Sequence, residues 1–232
     1  MTMHLRQPLP TAELEKLIDD ALVSRSRGQI YRDGLKRALD VTLVLIAALP
    51  VLIILMVLAA LISLDGGSPI YLQKRVGRSG RVFHMWKLRS MVMNADALLE
   101  QHLARDPALR REWNHTQKLR HDPRITRIGA VLRATSLDEL PQILNVLKGD
   151  MSFVGPRPFM TSQERQYREG GGSAYFHLRP GITGPWQIDG RGATAFVDRV
   201  RYDTAYWQRL SLAGDLRLLA RTVGVVLGRT GQ

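Results

Sequence analysis

The sequence predicts an α+β, mostly helical fold: a monotopic membrane protein with a re-entrant helix hairpin near its N-terminus and a cytoplasmic domain. Three observations predict this class: a long uncharged apolar run, basic residues on both sides of it, and helical periodicity through most of the chain that follows. We expect an amphipathic, basic segment at residues 1–35, the re-entrant membrane helix at 36–64 and the cytoplasmic domain at 65–232.

Composition limits the partners and the chemistry. The 232 residues carry a formal net charge of +12, which favours nucleic acid, phosphorylated small molecules or a negatively charged membrane face as partners. There is no cysteine, which excludes disulfides and thiolate zinc sites. A nucleic-acid-binding protein would be expected to interleave aromatic and basic residues in a recognisable motif. We find none and expect no nucleic-acid partner.

Residues 11–23 place apolar side chains at helical spacing and predict an amphipathic helix. The apolar run then extends from Val41 to Leu64 without a charged residue. At about 1.5 Å per residue, a helix of this length would reach about 36 Å, enough to cross a hydrocarbon core of about 30 Å. A buried helix of a soluble core is the alternative, but such helices rarely reach this length without a polar face.

Basic residues flank the run on both sides, so the positive-inside rule pulls both of its ends towards the cytoplasm. A straight spanning helix cannot satisfy both pulls, whereas a helix broken midway can enter and leave the same leaflet. Pro50 lies within the run, where it removes a backbone hydrogen bond and clashes with the preceding turn. We therefore predict a re-entrant hairpin broken at Pro50, with a kinked spanning helix as the alternative. The basic flanks would also attract anionic membrane lipids.

After the run, extended segments at 70–73 and 82–86, joined by a glycine-rich turn at 77–80, predict a β-hairpin. Lys87 and Arg89 alternate with Leu88, which would place both cations on one face of an extended chain; a solvated or headgroup-binding face is the alternative. Helices are predicted at 91–119, interrupted near Asp106 and Pro107, around 125–132, at 195–209 and at 212–227. The last is apolar on most sides and would rest on the membrane or on a second subunit, which would allow a homodimer.

Asp138 and Glu139 are the candidate reactive groups. Ser136 followed by Glu139 has the spacing of a capping box, and Pro141 is tolerated near a helix start. The alternative is that both carboxylates only stabilise the helix N-terminus. Because adjacent helical residues point about 100° apart, we expect one carboxylate to attack and the other to hold a metal. The partial positive charge of the helix start would keep Asp138 ionised, as a nucleophile requires.

Five short motifs follow the apolar run in a fixed order: KLRSM at 87–91, DPRIT at 122–126, LDELPQ at 137–142, VGPRP at 154–158, and PGITG with WQ at 180–187. This order resembles the bacterial sugar transferases, and more specifically the monotopic phosphoglycosyl transferases. The resemblance extends from about Lys36 to the C-terminus. Each motif alone is weak, but five in this order behind a proline-containing apolar run are highly specific.

The resemblance implies a role for each matching residue. Asp138 would attack the β-phosphate of a nucleotide sugar, giving a phosphosugar-aspartyl intermediate and releasing the nucleoside monophosphate. Glu139 would bind Mg²⁺. Arg157, together with Pro158 in the Pro-Arg-Pro loop, would belong to the nucleotide-phosphate site. Further substrate contacts are expected from Lys87, Arg89, Arg133, Gln187 and Arg191.

The resemblance also implies a reaction and a location. A catalytic domain on the cytoplasmic face of the bacterial inner membrane would transfer a sugar 1-phosphate, most commonly of glucose or galactose, from a UDP-sugar to polyprenyl (undecaprenyl) phosphate. The products would be polyprenyl-diphosphate sugar and UMP, in the first membrane step of exopolysaccharide, capsule or O-antigen synthesis. The alternatives are a non-catalytic membrane-tethered basic scaffold and a membrane-tethered nucleic-acid- or lipid-binding protein. A scaffold that kept the fold without activity would be expected to have lost the Asp-Glu pair or the Pro-Arg-Pro loop, and both are intact.

Overall fold

The computed structural model describes residues 30–116, 119, 122–190 and 195–227. The amphipathic helix predicted at residues 11–23 lies outside the described residues, as does most of the predicted segment 1–35. The helices and strands are α1 Lys36–Ser63, β1 Ile70–Val76, β2 Val82–Leu88, α2 Ala95–Arg105, α3 Pro107–Thr116, α4 Arg127–Thr135, α5 Gln142–Lys148, β3 Ser152–Val154, α6 Glu164–Glu169, β4 Gly181–Thr183, α7 Arg199–Gln208 and α8 Leu212–Leu227. The prediction of a mostly helical protein with a small β component is confirmed.

The apolar run forms one helix, α1, which is long and apolar enough to cross a membrane by length and composition. Only 6% of its most apolar window is buried, so α1 is not the core helix of a soluble domain. Pro50 lies inside the helix, which is continuous on both sides of the proline. The predicted hairpin break at Pro50 is therefore not confirmed and stays a prediction.

One narrow stripe of α1 packs against the rest of the protein. Near the start of the helix, Val44 joins a core cluster that includes Ile143 of α5, and near its end Ile62 joins a cluster with Leu88 and Leu132. Both ends of α1 therefore lie against the same domain. The stripe recurs every three or four residues across Pro50, as one helical face requires, and consists of Asp40, Val44, Ala47, Val51, Leu55, Leu58 and Ile62.

Polar side chains fix the first turns of α1. Arg37 donates from Nη2 to the carbonyl of Leu147 at 2.7 Å, at the C-terminal end of α5. Oδ1 of Asp40 accepts hydrogen bonds from Ser152 Oγ at 2.9 Å and from the backbone N–H of Phe153 at 3.0 Å. The apolar helix is thus attached to α5 and to β3.

A buried charge network joins the chain just before and at the start of α1 to helix α8. Asp215 of α8 is fully buried and accepts hydrogen bonds from the hydroxyls of Tyr31 and Tyr206, each at 2.7 Å, and from the ammonium of Lys36. A carboxylate removed from water is costly unless it is paired and hydrogen-bonded, and here three donors share one carboxylate.

The predicted β-hairpin is confirmed: β1 and β2 pair antiparallel, with Tyr71 opposite Lys87 and Arg75 opposite Phe83. The tight connection uses positive φ values of 60° at Ser79 and 77° at Gly80, the second of which suits a glycine. The predicted interruption near Pro107 is also confirmed, since α2 ends at Arg105 and α3 begins at Pro107.

The remainder of the domain packs around β3, β4 and a group of aromatic rings. β3 and β4 form a two-stranded parallel pair. Phe159 lies 5.0 Å from Tyr167 and 4.3 Å from Tyr175 between ring centroids, and all three side chains are almost fully buried. Helices α7 and α8 confirm the two helices predicted near the C-terminus.

Replacing Lys36 by Met tests the buried network. The change removes the ammonium that pairs with Asp215 and leaves its two hydroxyl donors, so the free energy of unfolding should fall by about 3–5 kcal/mol. Chemical denaturation of the detergent-solubilised chain measures it. The control is Arg165→Gln, which removes a pair between exposed side chains and should cost less than about 1 kcal/mol. A Lys36→Met variant as stable as that control would contradict the interpretation.

Candidate active site

The carboxylate pair lies on a short 3-10 turn, Leu137–Glu139, between α4 and α5. The predicted capping box is wrong. Ser136 takes a left-handed conformation with φ 58° as the C-terminal cap of α4, and its side chain makes no cap hydrogen bond. The backbone N–H of Glu139 instead donates to the carbonyl of Ser136 at 3.2 Å. Helix α5 begins only at Gln142, after Pro141.

The ammonium of Lys87 lies between the two carboxylates. Its Nζ is 3.3 Å from Oδ2 of Asp138 and 3.0 Å from Oε1 of Glu139. The three side chains retain only 11–20% of their exposure, so the charges interact in a partly desolvated site. This brings together the three residues that the sequence predicted as nucleophile, metal ligand and basic lining residue.

Asn145 of α5 holds the hairpin against the turn that carries the carboxylates. Its side chain is fully buried, accepts from the backbone N–H of Trp86 at 2.9 Å and donates to the carbonyl of His84 at 2.8 Å. These bonds fix β2, and with it Lys87, relative to α5. Sequence reasoning missed Asn145; the one available signal was an amide among the apolar residues of a helix, in the segment QILNVLK.

The electrostatic state of Asp138 differs from the prediction. Burial raises the pKa of Asp138, Lys87 opposes that effect, and Glu139 adds to it. The idea that a helix start keeps Asp138 ionised is wrong, because the residue sits in a 3-10 turn ahead of Pro141 rather than in the first turn of α5. The cation that favours ionisation of this carboxylate most strongly is Lys87.

Arg157 reaches the same carboxylates from the Pro-Arg-Pro loop. Its Nη2 lies 3.6 Å from Oε1 of Glu139, its side chain is 31% exposed, and Pro158 beside it is buried. The loop begins at Gly155, where a Cβ would lie 2.3 Å from the carbonyl of Arg179, so that only glycine permits this close approach. Arg157 is therefore presented by a closely packed backbone.

Arg133 of α4 contributes charge from a third side. It donates from Nε to Ser90 Oγ at 2.9 Å, and its charge lowers the pKa of Asp138. Helix α4 packs directly against the backbone of Ser90 because Gly129 has no side chain. A Cβ at Gly129 would lie 1.9 Å from the carbonyl oxygen of Ser90. The neighbouring Arg124 is instead paired with Asp122.

Arg89 does not contact these residues, and its predicted substrate contact stays a prediction. Its guanidinium pairs with Asp65 and donates to the carbonyls of Ile62 and Ser68 at the end of α1. β2 ends at Leu88, so the alternation expected for Lys87 and Arg89 does not continue past the strand. Arg89 therefore connects the end of β2 to the C-terminal end of α1.

Gln187 and Arg191 are the two remaining residues for which the sequence predicts substrate contacts. Gln187 is 7% exposed, and within the described residues neither its amide nitrogen nor its amide oxygen has a hydrogen-bond partner. A buried amide without partners fits a group that substrate would satisfy. Arg191 lies outside the described residues. Both roles stay predictions.

The carboxylates of Glu139 and Asp138 are the side chains at this site that could bind Mg²⁺. Among the residues that the structure describes, no group of three or more His, Asp or Glu side chains could hold a metal ion. Mg²⁺, however, is commonly held by one or two carboxylates together with substrate phosphates and water. Glu139 beside Asp138 meets that requirement, so the residues fit a Mg²⁺ that arrives with a phosphorylated substrate.

Comparison with known proteins gives the family. A family model described as bacterial sugar transferase matches residues 31–229. The chain belongs to the bacterial sugar transferase family. It is 47% identical over 201 residues to a UDP-galactose-lipid carrier transferase of Erwinia amylovora, in an alignment that covers 85% of this chain and 41% of that protein.

Two further members of the family match over most of both chains. The exopolysaccharide production protein ExoY of Sinorhizobium fredii is 40% identical over 192 residues, which cover 82% of this chain and 84% of that protein. A UDP-glucose:undecaprenyl-phosphate glucose-1-phosphate transferase of Caulobacter vibrioides is 38% identical over 244 residues, with coverage of 97% and 85%. By contrast, the chain spans less than half the length of the Erwinia relative.

Arg89 and Arg157 should respond differently to replacement by Gln. Arg89→Gln removes the ion pair with Asp65 and the charged donor to the carbonyls of Ile62 and Ser68, and should lower the free energy of unfolding by roughly 1–3 kcal/mol. Arg157→Gln removes a longer, partly exposed contact and should cost less than about 1 kcal/mol. Denaturation of both variants under the same conditions measures the difference. Equal losses would show that Arg89 has no special structural role.

Proposed function

We propose that this chain transfers a sugar 1-phosphate from a UDP-sugar to polyprenyl (undecaprenyl) phosphate, in the first membrane step of exopolysaccharide, capsule or O-antigen synthesis. The observation that carries the proposal is the partly desolvated pair Asp138 and Glu139, contacted by Lys87 and by Arg157. A carboxylate nucleophile surrounded by cations suits a diphosphate substrate, whose charge must be offset while an oxygen attacks. The names of the relatives support the same reaction.

The reaction proceeds through Asp138 in two displacements. A carboxylate oxygen of Asp138 attacks the β-phosphorus of the UDP-sugar, a new P–O bond forms, and the bond to the departing UMP breaks. An oxygen of the polyprenyl phosphate then attacks the same phosphorus, the bond to Asp138 breaks, and the carboxylate is regenerated with polyprenyl-diphosphate sugar as product.

The neighbouring cations offset the negative charges of the carboxylates and of the substrate phosphates. Lys87 lowers the pKa of Asp138 against the effect of burial, which keeps a fraction of the carboxylate ionised for attack. Arg157, on its closely packed loop, is placed to bind phosphate oxygens with a planar guanidinium. Mg²⁺, when held by Glu139 and substrate oxygens, supplies further charge to offset that of the diphosphate.

The position of α1 supports a membrane site without a crossing. Both ends of α1 contact the same domain, through Arg37 and Asp40 at one end and through Arg89 at the other. A domain on one side of a hydrocarbon core about 30 Å thick cannot hold both ends of a helix that crosses that core. We place the domain at the cytoplasmic face of the inner membrane, where the basic flanks meet anionic lipid, with α1 entering and leaving the same leaflet at Pro50.

Replacement of Asp138 by Asn should abolish turnover. Loss of the nucleophile should reduce release of nucleoside monophosphate from UDP-glucose or UDP-galactose, in the presence of polyprenyl phosphate, by at least about 10³-fold. Stability should change little, because burial already disfavours the ionised form of Asp138. Asp96→Asn, at an exposed position on α2, is the control. Substantial turnover by Asp138→Asn would rule out the mechanism.

The pH dependence should report the environment of Asp138. Attack needs the carboxylate, so the rate should fall as the pH drops through a pKa above that of an ordinary aspartate. Lys87→Met removes the cation that lowers this pKa and should move the acid limb to higher pH. Single-turnover rates across pH measure it, with Lys74→Met, an exposed lysine of β1, as control. An acid limb that stays in place or moves to lower pH would contradict the role of Lys87.

The topology of α1 can be tested with single cysteines, since the natural chain has none. Gly34→Cys and Ser68→Cys lie at exposed positions before and after α1, and Arg165→Cys marks the cytoplasmic domain. The reagent is a membrane-impermeant maleimide, and the cells have a permeabilised outer membrane and an intact inner membrane. None of the three cysteines should be labelled in these cells, and all three should be labelled after lysis. Labelling of one flank alone before lysis would show a spanning helix.

A further inference from the structure

A second group of cations lies next to the candidate active site. It consists of Arg75 of β1, Arg157 of the Pro-Arg-Pro loop and Arg199, the first residue of α7. The backbone N–H of Val76 donates to the carbonyl of Phe159 at 3.1 Å, which holds the strand of Arg75 against the loop of Arg157. The guanidinium of Arg199 lies over the ring of Trp186 at 4.0 Å and near that of Phe196 at 4.7 Å.

The three guanidinium groups are close enough to affect one another. The pKa of Arg75 is lowered to about 10, chiefly by burial and next by the charge of Arg157. The pKa of Arg199 is likewise lowered to about 10, chiefly by burial and next by the charge of Arg157, with a smaller contribution from Arg75. Glu139 raises the pKa of Arg75, and Asp203 raises the pKa of Arg199. The net pKa of each arginine is nevertheless lowered, so its surroundings disfavour the charged form.

Asp203, whose charge favours the ionised form of Arg199, gives limited compensation. Asp203 is buried and accepts a hydrogen bond from the hydroxyl of Tyr167 at 2.8 Å. Burial raises the pKa of Asp203 to about 7, so near neutral pH a good part of this residue is uncharged. The arginine cluster therefore carries an excess of positive charge in a partly buried position.

Two hydrogen-bond donors in the cluster are unused. Within the described part of the chain, the Nε atoms of Arg75 and Arg199 are buried and have no hydrogen-bond partner. Leaving a buried donor of a charged group without a partner is costly, and bringing like charges together adds to that cost. An anion with several oxygens would remove both costs, because a guanidinium offers paired donors that match phosphate geometry.

The cluster is continuous with the proposed reaction centre. Arg157 belongs to both, because its Nη2 lies 3.6 Å from Oε1 of Glu139. In the hairpin register Tyr71 pairs with Lys87 and Arg75 with Phe83, so Arg75 and Lys87 project from the same face of the hairpin. An anion held by the cluster would thus lie beside the two carboxylates.

We propose that Arg75 and Arg199 complete, with Arg157, a subsite that binds a phosphate group of a substrate. The assignment of that phosphate to a substrate rests on the proposed function, whereas the binding of phosphate itself does not. Two sources share this chemistry: the diphosphate of the nucleotide sugar and the phosphate of the polyprenyl acceptor.

The first experiment uses inorganic phosphate as the probe and the full chain in detergent. Phosphate should raise the melting temperature of the wild type and of Arg165→Gln, whose exposed guanidinium lies outside the cluster. Arg75→Gln and Arg199→Gln should each need roughly 10- to 100-fold more phosphate for the same shift, as expected when a charged hydrogen-bonding partner is lost. No stabilisation of the wild type by phosphate, or equal stabilisation of all four proteins, would overturn the proposal.

A conservative variant separates binding from folding. Arg75→Lys keeps the charge but loses the planar, paired donors, so its phosphate requirement should lie between those of the wild type and Arg75→Gln. Without phosphate, Arg75→Gln should melt no lower than the wild type, because it removes a buried like charge. A purely structural role for Arg75 predicts the reverse: Arg75→Gln would melt lower, and its shift with phosphate would equal that of the wild type.

The source of the phosphate is assigned by two further probes. Weaker binding of UMP by Arg75→Gln and Arg199→Gln, with binding of farnesyl phosphate unchanged, assigns the subsite to the nucleotide sugar. The opposite pattern assigns it to the lipid acceptor. These measurements need no turnover, so they stand even if Asp138→Asn retains activity and the proposed mechanism fails. Unchanged binding of both probes in both variants would count against any substrate role for the cluster.

Discussion

The contact of one ammonium with two carboxylates is the constraint on which the candidate site depends. Lys87 lies within 3.3 Å of Asp138 and 3.0 Å of Glu139, and without it two adjacent carboxylates would repel each other in a partly desolvated place. The surrounding structure keeps the three groups together. The hairpin presents Lys87, Asn145 fixes that strand to α5, and the absence of a side chain at Gly129 lets α4 approach Ser90.

The same elements connect the site to the apolar helix. Arg37 caps the carbonyl end of α5, Asp40 bonds to β3, and Arg89, next to the strand of Lys87, holds the end of α1. The carboxylates are therefore fixed relative to α1 by a few short contacts rather than by a flexible linker. Under the proposed function, with a lipid phosphate as acceptor, this arrangement would keep the reacting groups at the level of the membrane surface.

Periodicity and turn chemistry made much of the fold predictable from sequence. The apolar run, the hairpin around Gly80, the interruption at Pro107 and the last two helices each depend on local patterns. The place of Arg89 could not be predicted, because alternation ends where the strand ends and its partner Asp65 lies across the hairpin. The conformation of Ser136 could not be predicted from sequence either. A serine in a left-handed cap has the same spacing to Glu139 as a serine in a capping box. The arginine cluster joins three segments distant in sequence, which no local pattern reveals.

In the proposed mechanism, Asp138 carries the phosphosugar between donor and acceptor. Incubation of the wild type with UDP-glucose or UDP-galactose and Mg²⁺, without polyprenyl phosphate, followed by acid quench and peptide mass spectrometry, tests this claim most directly. We expect a hexose-phosphate adduct on the peptide that contains Asp138, which disappears when polyprenyl phosphate is added. An adduct on any other residue, or release of UMP without any covalent adduct, would contradict this mechanism.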